Sequence, residues 1–232
     1  MNSVLREEKK FLLRADEAAS LERRLGQVLA PDPHNGSRGY MIRSLYFDTL
    51  YDGDYFDKLA GTETRRKIRL RCYDTLSDFA MLEIKQKQGS NQLKRSLRLM
   101  RPDAQRLTRG DYSPLLGYSE PFAAECYGLM HRLCYLPKTI VEYNRKAFIA
   151  KENRIRITLD SDIRSTESSF ALFDPELNMI PVLSAQNTVL EVKYNGFLLD
   201  YIRRLINPVD RAEISVSKYV LARRDGYLTR LL

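Results

Sequence analysis

The sequence has few of the side chains on which zinc sites and disulfide frameworks depend. It contains two histidines in 232 residues, so a zinc site is not expected. Its three cysteines, Cys72, Cys126 and Cys134, show neither a pairing pattern nor a metal-binding spacing. This cysteine usage fits a reducing, cytoplasmic setting.

Long apolar runs are also missing from the sequence. No run approaches the roughly 20 residues that cross a bilayer, so we expect no membrane segment. The N-terminus is charged from Arg6 onward and lacks the apolar core of a signal peptide. There is no low-complexity segment, no linker and no strict repeat. With 44% hydrophobic residues, the chain is predicted to fold as one domain over residues 1–232.

Positive charge is the property that the sequence has in excess. The formal net charge is +8, which indicates an anionic partner such as nucleic acid, anionic lipid or a polyphosphorylated small molecule. The cations are spread over alternating segments and are not gathered in a tail. They therefore indicate a lined surface.

The stretch from Lys67 to Arg98 has the clearest pattern of this kind. Successive side chains of a strand point to opposite faces, so Lys67, Arg69 and Arg71 share one face and apolar residues share the other. Two further runs follow the same rule, with Arg95 as an exception on the apolar side. Their charged faces carry Glu83, Lys85, Lys87, Lys94, Ser96 and Arg98.

Such a face can simply be exposed to solvent, as in many half-buried antiparallel strands. A solvated face usually mixes both charge signs, whereas this one is almost entirely Arg and Lys with the single carboxylate of Glu83. Like charges directly opposite one another on neighbouring strands destabilise a sheet. A polyanion bound to this face would explain the pattern.

The same alternation recurs elsewhere in the chain. Strands are expected at 4–13, 41–49, around Tyr143 and Arg145, around Arg154 to Asp160, and at 188–194, where Glu191 and Lys193 share a face. Apolar spacing predicts helices over 16–29, 52–60, 119–135 and 197–206. Residues 101–118, with two prolines and two glycines, are expected to be irregular, and the chain closes with EISVSKYVLARR.

One arrangement places all of these charged faces around a common lumen. The predicted fold class is α+β: an antiparallel sheet closed into a barrel, with a charged lumen and helices packed outside. Buried cations need partners, which phosphate chains would supply. The carboxylates of Glu8, Glu83, Asp160 and Glu191 can hold a hard divalent ion, so Mg²⁺ or Mn²⁺.

The motifs SLYFDT, KIRLRCY, LEIKQK, EYNRKAF, RIRITLD, LEVKY and VSKYVLA resemble, in the same order, the VTC-type polyphosphate polymerase domain. That domain belongs to the triphosphate tunnel metalloenzyme superfamily, alongside the CYTH phosphatases. The resemblance implies a closed eight-stranded antiparallel β-tunnel that binds ATP and a divalent metal, preferentially Mn²⁺. It also implies transfer of the γ-phosphoryl group of ATP onto inorganic polyphosphate, with release of ADP.

The resemblance further implies the site residues. Residues that look like catalytic phosphate contacts are Lys10, Arg69, Arg71, Lys85, Lys94, Arg145, Arg156, Lys193 and Lys218. Residues that look like further substrate contacts are Arg6, Lys67, Tyr143 and Ser217. Glu191 looks like the metal ligand and Glu8 like a second one, although an ion pair between Glu191 and Lys193 is the simpler interpretation from the residues alone.

Two departures from the family pattern bear on the activity. CYTH phosphatases open with Glu-x-Glu-x-Lys, whereas Arg6 stands first here, which favours the polymerase over hydrolysis. A lysine commonly stands where this chain has Ser215. The alternatives are a triphosphatase acting on inorganic or nucleotide triphosphate and a non-catalytic polyphosphate-binding module. Nucleic acid is not an expected partner, because it favours an exposed basic patch with stacking aromatics. The sequence does not give the oligomeric state.

Overall fold

The computed structural model describes residues 6–89, 91–206, 213–215 and 217–230. The side chains of Arg6 and of 225–230 are outside the described part. The strands are Arg6–Arg14 (β1), Ala30–Pro31 (β2), Tyr40–Asp48 (β3), Thr64–Cys72 (β4), Phe79–Gln88 (β5), Asn91–Met100 (β6), Leu136–Ala150 (β7), Ile155–Thr166 (β8), Ile180–Pro181 (β9) and Asn187–Asn195 (β10). The α-helices are Ala15–Val28 (α1), Gly53–Ala60 (α2), Arg101–Leu107 (α3), Pro121–Arg132 (α4), Asp200–Ile206 (α5) and Lys218–Arg230 (α6).

The strands form a sheet with the order β1-β10-β8-β7-β3-β4-β5-β6, to which the two-residue strands β2 and β9 add at β7 and β8. The registered pairs, such as β1 with β10 and β4 with β5, are antiparallel. The α+β class and the eight-stranded antiparallel sheet are therefore confirmed. Closure of this sheet into a tunnel is not shown.

Two compact units divide the chain. The first comprises residues 1–41, 143–163 and 181–216, and the second comprises residues 42–142, 164–180 and 217–232. The single domain over 1–232 stays a prediction. No helix in the described ranges is long and apolar enough to cross a membrane.

In the first unit, the apolar faces of the strands pack against helices. Phe11 and Leu13 of β1, Ile157 of β8 and Leu190 of β10 share a core with Leu21 and other residues of α1 and α5. Because side chains alternate, the charged residues of these strands lie on the opposite face of the sheet. The predicted orientation, apolar toward helices and charged away from them, holds in this unit.

The second unit has the same arrangement with different helices. Ile68 and Leu70 of β4 and Leu82 of β5 are fully buried in a core with α3, α4 and a 3₁₀ turn at Ser113–Gly117. Arg95, the exception in the alternation, lies on this helix-facing side, where it pairs with Glu125 of α4 at 2.5 Å. Its guanidinium also stacks over the ring of Phe122. The odd residue of the pattern is therefore paired with a helix.

The expectation of irregular structure over 101–118 is wrong. Residues Arg101–Leu107 form α3, and Ser113–Gly117 form a 3₁₀ turn. In both, a proline stands in the first turn, where its missing N–H group is not needed and its fixed φ suits a helix. The prolines therefore lie at the starts of these helices, although we had interpreted them as signs of irregular structure. Helix α2 ends at Gly61, as predicted, with a φ of 71° that glycine tolerates.

Candidate functional site

In the second unit, three lysines stand directly opposite one another on neighbouring strands. The register pairs Lys67 of β4 with Lys85 of β5, and Lys85 with Lys94 of β6. Directly paired residues share a face of the sheet, with Cβ atoms roughly 5 Å apart. This arrangement places like charges side by side, as the sequence pattern predicts.

Beside this row, the carboxylate of Glu83 holds three cations. Its Oε2 accepts a hydrogen bond of 2.6 Å from Nε of Arg69 and lies 3.8 Å from Arg71, while its Oε1 lies 2.5 Å from Nζ of Lys94. Glu83 is buried, with 3% of its surface exposed. Burial acts to raise the pKa of Glu83, but the arginines and Lys94 outweigh it and lower the pKa to about 2. Glu83 therefore stays ionised and orients the cations.

Tyr46 of β3 belongs to the same face, although the sequence analysis did not single it out. Its hydroxyl accepts a 3.4 Å hydrogen bond from Arg69, its opposite residue in the register. Burial acts to raise the pKa of Tyr46, yet Arg69 and Arg71 overcome this effect and lower it below its usual value. A lowered pKa at a buried hydroxyl indicates a strongly positive potential at this face.

The C-terminal helix brings Ser217 and Lys218 to this unit's charged face. Nζ of Lys67 donates a 2.9 Å hydrogen bond to Oγ of Ser217, which immediately precedes α6. The helix is held by Tyr219, whose hydroxyl donates a 2.5 Å hydrogen bond to Asp48. Two residues predicted from the resemblance, Ser217 and Lys218, are thus fixed by a contact that the resemblance did not indicate.

Asp48, the last residue of β3, is a structural anchor. It is fully buried and accepts backbone hydrogen bonds of 2.7–2.9 Å from Thr49, Asp54 and Tyr55. Further along α6, Arg223 donates a 2.9 Å hydrogen bond to Asp52. The loop after β3 therefore holds the first turns of α6.

The first unit has a charged face of a different kind, in which carboxylates and lysines alternate. Lys10 of β1 stands opposite Glu191 of β10, and Glu8 stands opposite Lys193. Nζ of Lys10 lies 2.7 Å from Glu8 and 4.0 Å from Glu191. Lys193 forms an ion pair with Glu191 and lies 3.9 Å from Glu8. The two predicted metal ligands therefore share the same two ammonium groups.

Arg145 of β7 is held by a bidentate ion pair. Its Nε and Nη2 donate hydrogen bonds of 2.6 and 2.8 Å to the two carboxylate oxygens of Asp160 on β8. Its guanidinium carbon also lies 5.3 Å from the ring centroid of Tyr143. Asp160 is fully buried, so this pair fixes Arg145 in place, and Asp160 acts as its partner.

Arg156 of β8 faces Lys193 in the register and is tethered on its other side. Its Nη2 donates hydrogen bonds of 2.7 Å to Asp32 and 3.0 Å to the hydroxyl of Tyr40. Burial acts to raise the pKa of Asp32, but hydrogen bonds from His34 and the charge of Arg156 lower it overall. The loop before β3 therefore positions a predicted phosphate contact.

The two clusters account for the predicted site residues as follows. The first unit brings together Glu8, Lys10, Arg156, Glu191 and Lys193 and also carries Tyr143 and Arg145. The second brings together Lys67, Arg69, Arg71, Lys85, Lys94, Ser217 and Lys218. The prediction for the side chain of Arg6 lies outside the described residues. Alternation with a period of two from Ser44 could have placed Tyr46 on the charged face. Tyr219 lies in a helix, so the strand pattern could not have identified it.

The residues fit a metal site only in part. Within the described part of the chain, no three His, Cys, Asp or Glu side chains gather as ligands. Of the four carboxylates proposed from sequence, Glu83 and Asp160 are committed to arginines. Glu8 and Glu191 both lie within 4.0 Å of one ammonium group, and carboxylate oxygens are the ligands that Mg²⁺ and Mn²⁺ prefer. Glu8 and Glu191 are therefore the residues that fit a divalent-cation site.

The family of the protein follows from its sequence as a whole. The model of the VTC domain matches residues 5–225, so the chain belongs to the VTC domain family. This membership confirms the resemblance and implies that the domain handles phosphate or triphosphate. The comparison with curated proteins found no match.

Solved structures with a fold similar to that of this chain are also known. A candidate adenylate cyclase from Bacillus halodurans has a TM-score of 0.51 and 12% identity, with 92% of this chain and 95% of that chain covered. The adenylyl cyclase candidate HpAC1 from Hippeastrum, described as having a dominant triphosphatase activity, has a TM-score of 0.52 and 14% identity, with 94% and 95% covered. At these identities the likeness concerns the fold alone.

Proposed function

We propose that this protein is a polyphosphate polymerase that transfers the γ-phosphoryl group of ATP onto the end of an inorganic polyphosphate chain. One P–O bond of ATP breaks and one P–O bond to the chain end forms, so the products are ADP and a chain longer by one phosphate. The proposal includes the closed eight-stranded tunnel, the single domain and the cytoplasmic location predicted from the sequence.

The row of Lys67, Lys85 and Lys94, next to Arg69 and Arg71, is the observation that carries the proposal. Of these cations, Arg69, Arg71 and Lys94 cluster around the buried carboxylate of Glu83. Like charges placed directly opposite destabilise a sheet, so a protein has little reason to keep them without an anionic ligand. A phosphate chain repeats its negative charge at short intervals and suits such a row.

The chemistry that these residues perform is mainly positioning and charge neutralisation, which dominate catalysis of phosphoryl transfer. Arginine forks bind two phosphate oxygens at once, and lysines act as point charges. Glu83 keeps Arg69 and Arg71 oriented before the ligand arrives. Ser217, immediately before α6, and Lys218, the first residue of α6, add a hydroxyl and a further cation to the same unit.

In the first unit, Glu8 and Glu191 would hold the divalent ion, Mn²⁺ or Mg²⁺, which supplies additional positive charge to the phosphate oxygens. Lys10 and Lys193 now share these carboxylates. In this proposal, both lysines would turn toward phosphate oxygens if these carboxylates held the ion. Arg145 and Arg156 are already tethered and contact phosphate without that change.

The test is incubation of the protein with ATP and Mn²⁺, followed by separation of the products on a gel that resolves phosphate chains. A ladder of long chains, with ADP formed in equal amount to the phosphate incorporated, supports the polymerase. Orthophosphate from inorganic triphosphate, with no chains from ATP with or without primer, would mean that the protein is a triphosphatase. Tight polyphosphate binding without metal-dependent turnover would mean a binding module.

A further inference from the structure

Thr158 of β8 carries a buried hydroxyl for which the described residues provide no hydrogen-bond partner. The residue is 2% exposed, and its Oγ1 is shielded from solvent. Buried polar atoms are almost always hydrogen-bonded, and an exception needs an explanation such as a bound water or ion. The buried Thr139 of β7 follows the general rule, because its hydroxyl donates a 3.1 Å hydrogen bond to the Thr166 carbonyl.

The position of Thr158 in the register gives this orphan atom a context. Thr158 stands directly opposite Glu191 of β10, and directly paired residues share a face of the sheet. Glu191 in turn stands opposite Lys10 of β1. The hydroxyl therefore lies on the face that carries Glu8, Glu191, Lys10 and Lys193, next to the carboxylate that best fits a metal ligand.

We propose that the hydroxyl of Thr158 is an uncharged third ligand of the divalent-cation site formed with Glu8 and Glu191. Hard cations take oxygen ligands, including hydroxyl and carbonyl groups beside carboxylates. This inference rests on the metal dependence of the proposed function and adds a residue to that site.

The chemistry of the cluster favours a neutral ligand at this place. Two carboxylates already balance the charge of one divalent ion, and an additional carboxylate would compete for Lys10 and Lys193. A hydroxyl adds an oxygen without adding charge, so the lysines remain available for phosphate. Its burial would also keep water away from an ion bound beside it, which would strengthen the interaction with the carboxylates.

The experiment measures binding of Mn²⁺ alone to the purified protein, by the loss of the electron paramagnetic resonance signal of free Mn²⁺. The variants are Thr158→Val, which keeps the shape but removes the oxygen, and Thr158→Ser, which keeps the oxygen. The matched control is Thr188→Val. Thr188 is a buried threonine of β10 opposite the core residue Leu13, on the other face of the strand. Circular dichroism and urea midpoints verify that all variants are folded.

We expect Thr158→Val to weaken Mn²⁺ binding by about tenfold, the scale expected for loss of one group at a metal site, while Thr158→Ser and Thr188→Val bind Mn²⁺ like the wild type. Unchanged Mn²⁺ affinity in folded Thr158→Val would overturn the inference. If Thr188→Val weakens binding as much as Thr158→Val, the effect comes from sheet stability and the inference also falls.

A parallel titration with inorganic triphosphate in excess EDTA separates this inference from the proposed function. Thr158→Val should bind metal-free triphosphate like the wild type, because Thr158 touches the metal only. A wild type that binds triphosphate but no Mn²⁺ would overturn the third-ligand assignment and leave the phosphate-binding cations intact. A wild type that binds neither would overturn the proposed function as well.

Discussion

The buried carboxylate of Glu83 allows a quantitative test of the cation cluster through the substitution Glu83→Gln. The pKa of Glu83 falls from an ordinary 4.5 to about 2 in the folded protein. A shift of this size corresponds to roughly 3 kcal/mol of stability at neutral pH. Because the folded-state pKa is the lower one, this stabilisation is complete above about pH 4.5 and is lost as the pH falls through about 2.

Gln keeps the shape of the side chain but not its charge, so Arg69, Arg71 and Lys94 lose their shared counter-ion. We expect the urea midpoint at pH 7 to fall by about 1–2 M, given a typical dependence on urea of a few kcal/mol per molar. The difference between variant and wild type should shrink as the pH is lowered toward 2. The control is Glu125→Gln, which removes an exposed carboxylate whose pair with Arg95 is worth at most about 1 kcal/mol.

Inorganic triphosphate should reverse part of this loss. If phosphate oxygens take the place of the carboxylate, saturating triphosphate raises the melting temperature of Glu83→Gln by more than that of the wild type or of Glu125→Gln. A folded Glu83→Gln protein with wild-type stability would refute the account of the cluster. An equal rise in melting temperature with triphosphate in all three proteins would refute the idea that phosphate oxygens take the place of the Glu83 carboxylate.

Four other substitutions test the remaining parts of the site. Arg71→Ala removes up to two charge-assisted hydrogen bonds of about 1.5–3 kcal/mol each and should lower kcat/KM by at least tenfold. The control Arg95→Ala, on the helix-facing side of the sheet, should keep most of the activity. Equal losses of activity in both variants would contradict the assignment of the two faces of the sheet. Glu191→Gln should lose metal-dependent turnover but retain much of its triphosphate binding, and full activity at limiting Mn²⁺ would leave Glu191 as an ion-pair partner only. Arg6→Glu should shift the products from chains toward orthophosphate at matched Mn²⁺, and an unchanged product ratio would show that Arg6 does not decide between the two reactions. Tyr219→Phe removes only the hydroxyl that binds Asp48 and should raise the KM for ATP several-fold with a smaller change in kcat; an unchanged KM would mean that α6 is positioned without this bond.

The alternation of charged and apolar residues predicted most of the strands and their faces. Lys67, Arg69 and Arg71 recur with a period of two. This period is sufficient to predict an antiparallel strand that packs one face against a helical core. The same rule marked Arg95 as the exception. Its reason, the pair with Glu125 of α4, depends on the packing of a helix 30 residues later, which a local pattern does not contain.

Partners across strands were beyond the sequence. Glu83 and Asp160 were grouped with Glu8 and Glu191 as metal ligands because all four are carboxylates among cations. The fold gives them different neighbours: Glu83 stands opposite Arg69 in the register, and Asp160 accepts hydrogen bonds from Nε and Nη2 of Arg145. The unbonded hydroxyl of Thr158 was invisible for the same reason, since a threonine in a strand is ordinary until its neighbours are known.

The helices after β6 and at the C-terminus show a second limit. Pro102 and Pro114 were taken as breakers, although each occupies a first helical turn. The sequence could not say that α6 is held through Tyr219 and Arg223 on Asp48 and Asp52. These contacts link positions about 170 residues apart, and only the folded chain brings them together.

The most direct test of the central claim is ³¹P nuclear magnetic resonance of the wild-type protein incubated with ATP and Mn²⁺, with the metal removed before recording. Internal phosphates of a chain, chain ends and orthophosphate give separate signals, so one spectrum distinguishes transfer from hydrolysis. We expect growth of the internal-phosphate signal with formation of an equal amount of ADP, and loss of this growth in Arg71→Ala. A spectrum that gains only orthophosphate, or an internal-phosphate signal that grows equally in Arg71→Ala, would contradict it.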